Sequence, residues 1–410
     1  MDEKKKNLIN NTLALFINQV FVYIFPFITV PYLSRVYEVE TFGRIFYAQS
    51  IIDYFVLFTS FGFGFFAVRE LAIHRNNSED KNRIYNNVFC TQWVLFFISC
   101  AVLLILQNFV PQIRADYYIY WILLFQQTGV ILYSAWFFQG MEDMKFITIL
   151  NFIGNVVGIV LTFLLVKKDE DFVLGLCIGL FCLLITGLIS FFFRRKYFGI
   201  KHKISPPKEI LNTLKSSCQF FFAEVAVYFY RQINTVILGF VQGAEVVAYF
   251  STANKLFLAG AGVCYTLTNA LFPYMSKNKD KEFFKKLLLY ISVFGIVVSI
   301  CIFLFAKPVI CLVYSDKYLE AVKVLQIFSF AFFFNILEVM LGFPFLAAYG
   351  YIKETNSCYI FGAVYNTLGL IILFFLNQIN LYTVSILAAS TCFVMFLHRI
   401  YYVLKYKLLK

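Results

Sequence analysis

Apolar runs of about twenty residues, each long enough to cross a hydrocarbon core, follow one another along the whole of this 410-residue chain. In lipid, every backbone polar group must be satisfied inside its own segment, so each run reads as a helix. The sequence is 61% hydrophobic and only 14% charged, with 53 Phe, so lipid is the solvent for most of the surface. Twelve spans are expected, at 8–33, 44–67, 86–108, 117–138, 146–166, 172–193, 212–240, 246–272, 284–306, 321–347, 356–376 and 381–402. The expected fold class is an all-α integral membrane protein with two six-helix bundles, one over 1–205 and one over 206–410, joined by a linker from about 194. The longest hydrophilic stretch, Arg194 to Lys208, is too short to bury a core of its own.

The halves echo each other at an offset of 205 residues. Gln19-Val20-x-Val22-Tyr23 falls on Glu224-Val225-x-Val227-Tyr228, Glu40 on Glu245, Ala48-Gln49 on Ala253-Asn254, and Lys81 and Tyr85 on Lys286 and Tyr290. Internal repeats of this kind mark carriers whose halves share a site. The Lys and Arg residues sort as 25 on one expected side against 8 on the other, with Arg231 and Lys255 left inside spans. That bias places both termini in the cytoplasm and accounts for the net charge of +12 without nucleic acid. Lys4-Lys5-Lys6 precedes an apolar run that continues through Pro31 with no small-residue cleavage site, so the run reads as the first span. The central basic stretch could anchor topology or lie as an amphipathic hinge on an anionic leaflet.

Ionisable residues at bilayer depth are costly, about 3 kcal/mol each on insertion scales, and therefore informative. Asp53, Glu224, Arg231, Lys255 and Glu338 fall near the middle of spans. Glu224, Tyr228, Arg231 and Thr235 share one helical face. Glu224 and Arg231 are about 10 Å apart in rise, too far for a local ion pair. Span five carries Thr148, Asn151, Asn155, Gly158 and Thr162 on one stripe. Span two carries Gln49 and Asp53, span ten Asn335 and Glu338, span one Asn11 and Asn18, and span eleven Asn366. These groups could be structural ion pairs and interhelical glue. Their recurrence on so many helices favours a hydrated cavity. Pro26 and Pro344 could kink spans one and ten.

Several chemistries are not expected. No phosphate-binding G-x-x-x-x-G-K-[ST] loop occurs, and His74, His202 and His398 are scattered, so neither ATP hydrolysis nor a metal site is predicted. The ten cysteines form no C-x-x-C and read as small packing residues. Gly154-x-x-x-Gly158 and Gly175-x-x-x-Gly179 read as close helix contacts.

Val36-Tyr37 to Thr41-Phe42-Gly43, Tyr47-Ala48-Gln49-Ser50, Asp53-Tyr54, Phe61-Gly62-Phe63 and Arg69-Glu70 resemble the opening of Wzx-type O-antigen flippases. Trp136-Phe137-Phe138-Gln139-Gly140-Met141-Glu142, with Lys145-Phe146 and Asn151, does so too. The second half resembles the wider superfamily, which includes multidrug exporters and peptidoglycan-lipid flippases. The resemblance implies two bundles forming a V in the bacterial inner membrane. It also implies a substrate, an oligosaccharide on a polyprenyl diphosphate, moved to the periplasmic leaflet. Cavity-lining charges carry function in that family, and the matching positions here are Arg231 and Lys255 with Asp53, Glu224 and Glu338. On this reading Arg231 and Lys255 hold the diphosphate. Gln49, Asn151, Asn155 and Tyr228 face sugar hydroxyls, while Glu224, Asp53 and Glu338 supply ion coupling. No cofactor is expected beyond a proton or sodium gradient. Expected partners are the lipid-linked oligosaccharide, membrane lipid, and the polymerase and chain-length proteins of the same pathway, with no nucleic acid. Two other readings stand beside it: a cation-coupled drug exporter of the same fold, and a membrane polymerase or glycosyltransferase. The last predicts a long charged outer loop, and the longest outer segment, Pro308 to Lys323, is short.

Overall fold

The computed structural model describes residue 21 and residues 24–408, and every regular element among them is helical. Ten helical stretches are long and apolar enough to cross a membrane, and a shorter apolar helix covers Ile24–Val36. The ten overlap the expected spans two to six and eight to twelve. The first expected span is described only from Ile24, and Asn11, Asn18 and Lys4 to Lys6 lie outside the described residues. The seventh is a continuous helix, Pro207–Gln242, of 36 residues. It is not among the ten, and Glu224 and Arg231 both interrupt its apolar run.

By packing, the described residues form two compact units. One comprises Ala48–Val225 with the residues before Val39; the other comprises Val39–Tyr47 with residues from Ala226 onward. The basic linker lies within the first unit and is strapped to the helix Ser78–Phe109. Lys201 N–H donates to Asn82 Oδ1 at 2.6 Å, Asn86 Nδ2 donates to Lys201 O at 2.8 Å, and Lys203 N–H donates to Asn86 Oδ1 at 3.1 Å. His202 stacks on Phe191 at 4.0 Å, and Ile200 is buried. Backbone groups that would otherwise face water are thus bonded to two asparagines one turn apart.

Three interruptions shape the spans. Phe61 and Gly62 take left-handed φ values of 41° and 71°, ending the helix Val39–Ser60 before Phe63–His74. A Cβ on Gly62 would lie 2.7 Å from Phe220 Cβ, so this turn needs glycine for both conformation and space. Ser134, at φ 47°, separates Tyr117–Tyr133 from Ala135–Gly140. After Ala321–Leu341 the chain makes a π-helical turn, Gly342–Ala347, that contains Pro344. Proline has no N–H to continue the ladder, and the wider turn accommodates it. Pro273, inside Ala244–Asn278, was not anticipated as a kink site.

Each unit has its own aromatic core. In the first, Phe63, Ala67 and Leu71 pack with Tyr85, Trp136, Phe137 and Phe138, which draws on both motif stretches that carry the family resemblance. Gly140 lies against the helix Phe63–His74, since its Cβ would lie 2.6 Å from Leu71 Cβ. In the second, Phe284 and Phe345 stack at 4.1 Å among Ile336, Met340 and Leu346. Of the four expected glycine contacts three are close: a Cβ on Gly154 would meet Thr186 at 2.7 Å, one on Gly175 the Tyr37 hydroxyl, and one on Gly179 Gln126 Nε2 at 3.1 Å. Gly158 has only ordinary contact with Cys182. Gly129 and Gly187, not singled out from sequence, bring Tyr117–Tyr133 and Phe172–Tyr197 together, with the Gly187 Cβ position 2.6 Å from Gly129 O.

Candidate functional site

The second unit encloses a cavity of about 70 Å³ among the helices 207–242, 244–278, 321–341, 352–375 and 381–405. Its polar lining is Arg231, Asn234, Asn254, Asn335, Asn366, Thr391 and the Tyr230 and Tyr265 phenols, against apolar Phe250, Phe257 and Phe328. Asn366 Nδ2 donates to Thr391 Oγ1 at 3.1 Å. The side-chain oxygens of Asn234, Asn335 and Asn366 are buried and accept no hydrogen bond. Three unmet acceptors against apolar walls call for a polar occupant, and Arg231, itself an exposed residue, is among the lining. The cavity has room for about two water molecules or one partly hydrated cation. It can therefore hold small polar species, and Arg231 gives it a planar, five-donor fork suited to phosphate oxygens.

The first unit holds a larger cavity of about 390 Å³, within the range of small-molecule sites. Asn151, Asn155, Gly158 and Thr162 line it, together with Gly175, Gly179 and Thr186 of the facing helix and Pro26 and Thr29 of the helix Ile24–Val36. Apart from Thr148, the stripe read from sequence in span five is this cavity's wall. Asn155 Nδ2 donates to Asn151 O at 2.7 Å, which leaves the Asn155 carboxamide oxygen for a ligand. Glycines on both helices widen the space that ordinary side chains would fill.

The other candidate residues are placed as follows. Gln49 Nε2 donates to Asp53 Oδ1 at 3.0 Å, so the i,i+4 spacing read from sequence is a hydrogen-bonded pair. Glu224 and Tyr228 are half-buried on the helix that carries Arg231. Lys255 is exposed, with Nζ 3.7 Å from the centre of the Phe46 ring, and does not line the Arg231 cavity. Glu338 has a partner that the sequence reading did not name. Its Oε1 accepts from Arg399 Nη2 at 2.8 Å, and both side chains are 1% exposed. Arg399 Nη1 also donates to Glu338 O at 2.6 Å, next to the π-helical break. A Cβ on Gly342 would collide with that guanidinium, so only glycine leaves room for it.

Arg194 is its counterpart in the first unit. Fully buried, it donates to Leu132 O at 2.5 Å and Tyr133 O at 2.6 Å, the last carbonyls before the Ser134 break. It also meets Ser190 Oγ at 2.5 Å and Tyr85 OH at 3.3 Å, among the Tyr85, Phe137 and Phe138 rings. By sequence Arg194 and Arg399 fall among the 25 Lys and Arg on the expected cytoplasmic side, as surface charges that set topology. The structure corrects this, and removing the pair leaves the bias of 25 against 8 intact in sign. No group of three or more His, Cys, Asp or Glu able to hold a metal occurs among the described residues.

Comparisons with known proteins agree with this architecture. Over 96% of its length the chain superposes on the lipid II flippase MurJ in its inward closed conformation, with a TM-score of 0.70, 17% identity and 87% of that chain covered. Over 97% it superposes on an inward-facing multidrug-resistance MATE-family transporter of the MOP superfamily, with a TM-score of 0.67, 16% identity and 99% of that chain covered. At these identities the likeness is one of fold. By sequence it is 30% identical over 317 residues to a Shigella dysenteriae protein named as a candidate O-antigen transporter, across 75% of this chain and 78% of the relative. An Escherichia coli (strain K12) protein of the same description is 26% identical across 87% and 88% of the two chains. The model of the polysaccharide biosynthesis protein family matches residues 8–279, well over half of the sequence. Signature residues packed into the core of one unit, an all-helical MOP-type fold and this match lead to one conclusion: the chain belongs to the polysaccharide biosynthesis protein family.

Proposed function

We propose that the protein is a flippase, a carrier and not an enzyme. In this reading it moves a polyprenyl-diphosphate-linked oligosaccharide of the O-antigen class across the bacterial inner membrane by ion-coupled alternating access. Its two units act as repeats and both termini are cytoplasmic. The observation that carries the reading is Arg231, a cation held beside unmet carboxamide oxygens in a cavity walled by membrane-spanning helices. A diphosphate is the anion that such a fork would recognise. Lys255, outside this cavity, would meet the headgroup as a point charge at a different stage of the cycle. The Asn151 and Asn155 cavity, with room for a sugar ring, would take part of the glycan, and Gln49 and Tyr228 would contact other hydroxyls.

Ion coupling falls to Glu224 and Asp53, half-buried acids that would change protonation or bind sodium during transport. Glu338 was a third candidate; in our reading its ion pair with Arg399 keeps it structural. The cavity oxygens of Asn234, Asn335 and Asn366 would hold water or the coupling cation. The polymerase and chain-length proteins of the pathway would receive the product.

The test is complementation in cells that lack their own flippase, with abundance checked in the membrane. Arg231→Ala is expected to abolish surface polysaccharide, and Lys255→Ala to reduce it. Full restoration by both variants contradicts the cation roles. Extrusion of cationic drugs by the wild type, with no polysaccharide restored, would favour the exporter reading that the MATE-like fold also allows.

A further inference from the structure

A second feature of the C-terminal unit shares no residue with the arginine cavity. Between the helices Lys281–Leu304, Ala321–Leu341 and Leu381–Lys405 runs a furrow of about 530 Å³. Its walls are aromatic and aliphatic, chiefly Phe330, Phe334, Ile386 and Phe393, and Phe330 and Ile386 are more than half exposed, so it opens sideways from the unit. Its charged group lies at one end only. Lys323 is in the first turn of its helix, Tyr382 is in the first turn of the next, and Gln326 Nε2 donates to Phe303 O at 3.3 Å in the last turn of the third. The deeper Ser390 has its hydroxyl donated to Leu387 O at 2.9 Å.

Charge and length together describe an occupant. The acid nearest to Lys323 in sequence, Glu320, accepts from Tyr382 OH at 2.6 Å and makes no ion pair with the lysine. Lys323 itself is exposed and rests 5.5 Å from the centre of the Tyr382 ring, with no described carboxylate in ion-pair contact. Both Lys323 to Phe334 and Tyr382 to Phe393 span eleven residues, about 16 Å at 1.5 Å per residue. One leaflet of a hydrocarbon core is about 15 Å deep. The furrow therefore runs from an exposed lysine at the membrane edge to about the midplane.

We propose that this furrow binds an anionic bilayer phospholipid, with one acyl chain along the aromatic wall and its phosphodiester against Lys323. One exposed ammonium outside ion-pair contact suits the single charge of a phosphodiester, whereas a diphosphate would leave most of its charge unmet. Chain contacts give little preference inside a membrane, where surrounding tails are equally apolar, so selectivity resides in the headgroup. The inference requires only that the spans cross a bilayer, so it stands or falls separately from the proposed cargo.

The test uses the full-length protein in lipid nanodiscs made from phosphatidylglycerol and phosphatidylcholine, with retained lipid identified by native mass spectrometry. The wild type is expected to retain phosphatidylglycerol preferentially. Lys323→Gln should lower that preference about fivefold, the loss of one near-surface cation. Ile386→Trp, a change at an exposed wall position, should fill the furrow and release the lipid while thermal unfolding stays as in the wild type. Retention of phosphatidylcholine equal to phosphatidylglycerol overturns the proposal, as does an undiminished preference in both variants. A polyprenyl diphosphate retained in place of phosphatidylglycerol also overturns it.

Discussion

Each unit buries one arginine completely, and the two cations are balanced in different ways. Arg194 and Arg399 are 205 residues apart, the offset at which the halves echo each other, and so are the carbonyls they bind, Tyr133 O and Glu338 O. In both units the guanidinium holds the end of a helix at a break. In the first, the charge is met by carbonyls at a helix C-terminus, two hydroxyls and three aromatic rings. In the second, a carboxylate stands where the first has a tyrosine, and the pair is neutral by itself. The backbone task is the same, while the charge balance is free to differ.

The largest effect expected from this contrast is in the second unit. Arg399→Met leaves Glu338 buried without its cation and should destabilise by about 3–5 kcal/mol. Glu338→Leu added to Arg399→Met should recover much of that loss, as measured by thermal unfolding in detergent. Arg194→Met strands carbonyls and hydroxyls but no charge, so about 2–3 kcal/mol is expected. Equal losses in the two units, or no recovery in the double variant, would break the comparison.

A smaller effect is the pH dependence of the linker in the first unit. Burial, and then the charges of Arg194 and Arg195, hold the His202 imidazole below its usual range. Folding thus favours the neutral ring. This contribution is complete above about pH 6.5 and is lost as pH falls through the lower folded value. Amides of residues 200–205 should therefore exchange faster at pH 5 than at pH 7.5 after intrinsic-rate correction, and His202→Phe should remove the difference. The smallest effect concerns the turns before the last helix of each unit. The Lys167 and Lys168 amides hold the Asp171 carboxyl below its ordinary range. Its stabilising contribution is present above about pH 4 and is lost as pH falls through the lower folded value. Asn380 caps the corresponding turn without titrating. Acid should loosen residues 166–171 and leave 376–381 unchanged, a difference that hydrogen exchange resolves.

The spans were legible because lipid leaves few alternatives to an apolar helix, and the wall of Asn151 and Asn155 because helical spacing places them on one face. Gln49 and Asp53 were legible as neighbours for the same reason. Arg194 and Arg399 were not. They lie near the ends of apolar runs, where a basic residue reads as surface charge, and their burial depends on breaks at Ser134 and Gly342 that periodicity does not reveal. Gly62 and Gly140 were visible only as part of a motif; in the structure a Cβ on either would meet a neighbouring helix at under 3 Å. The partner of Glu338 was missed because it is 61 residues away and meets it only through tertiary packing.

In the proposed function, Arg231 grips an anionic, lipid-linked cargo. The most direct measurement of this is transbilayer movement of a polyprenyl-diphosphate oligosaccharide in liposomes containing the purified protein, with Arg231→Gln alongside. The account predicts rapid movement with the wild type and loss of at least about tenfold in the variant, equivalent to one charge-assisted hydrogen bond. Movement at the wild-type rate in the variant would contradict it.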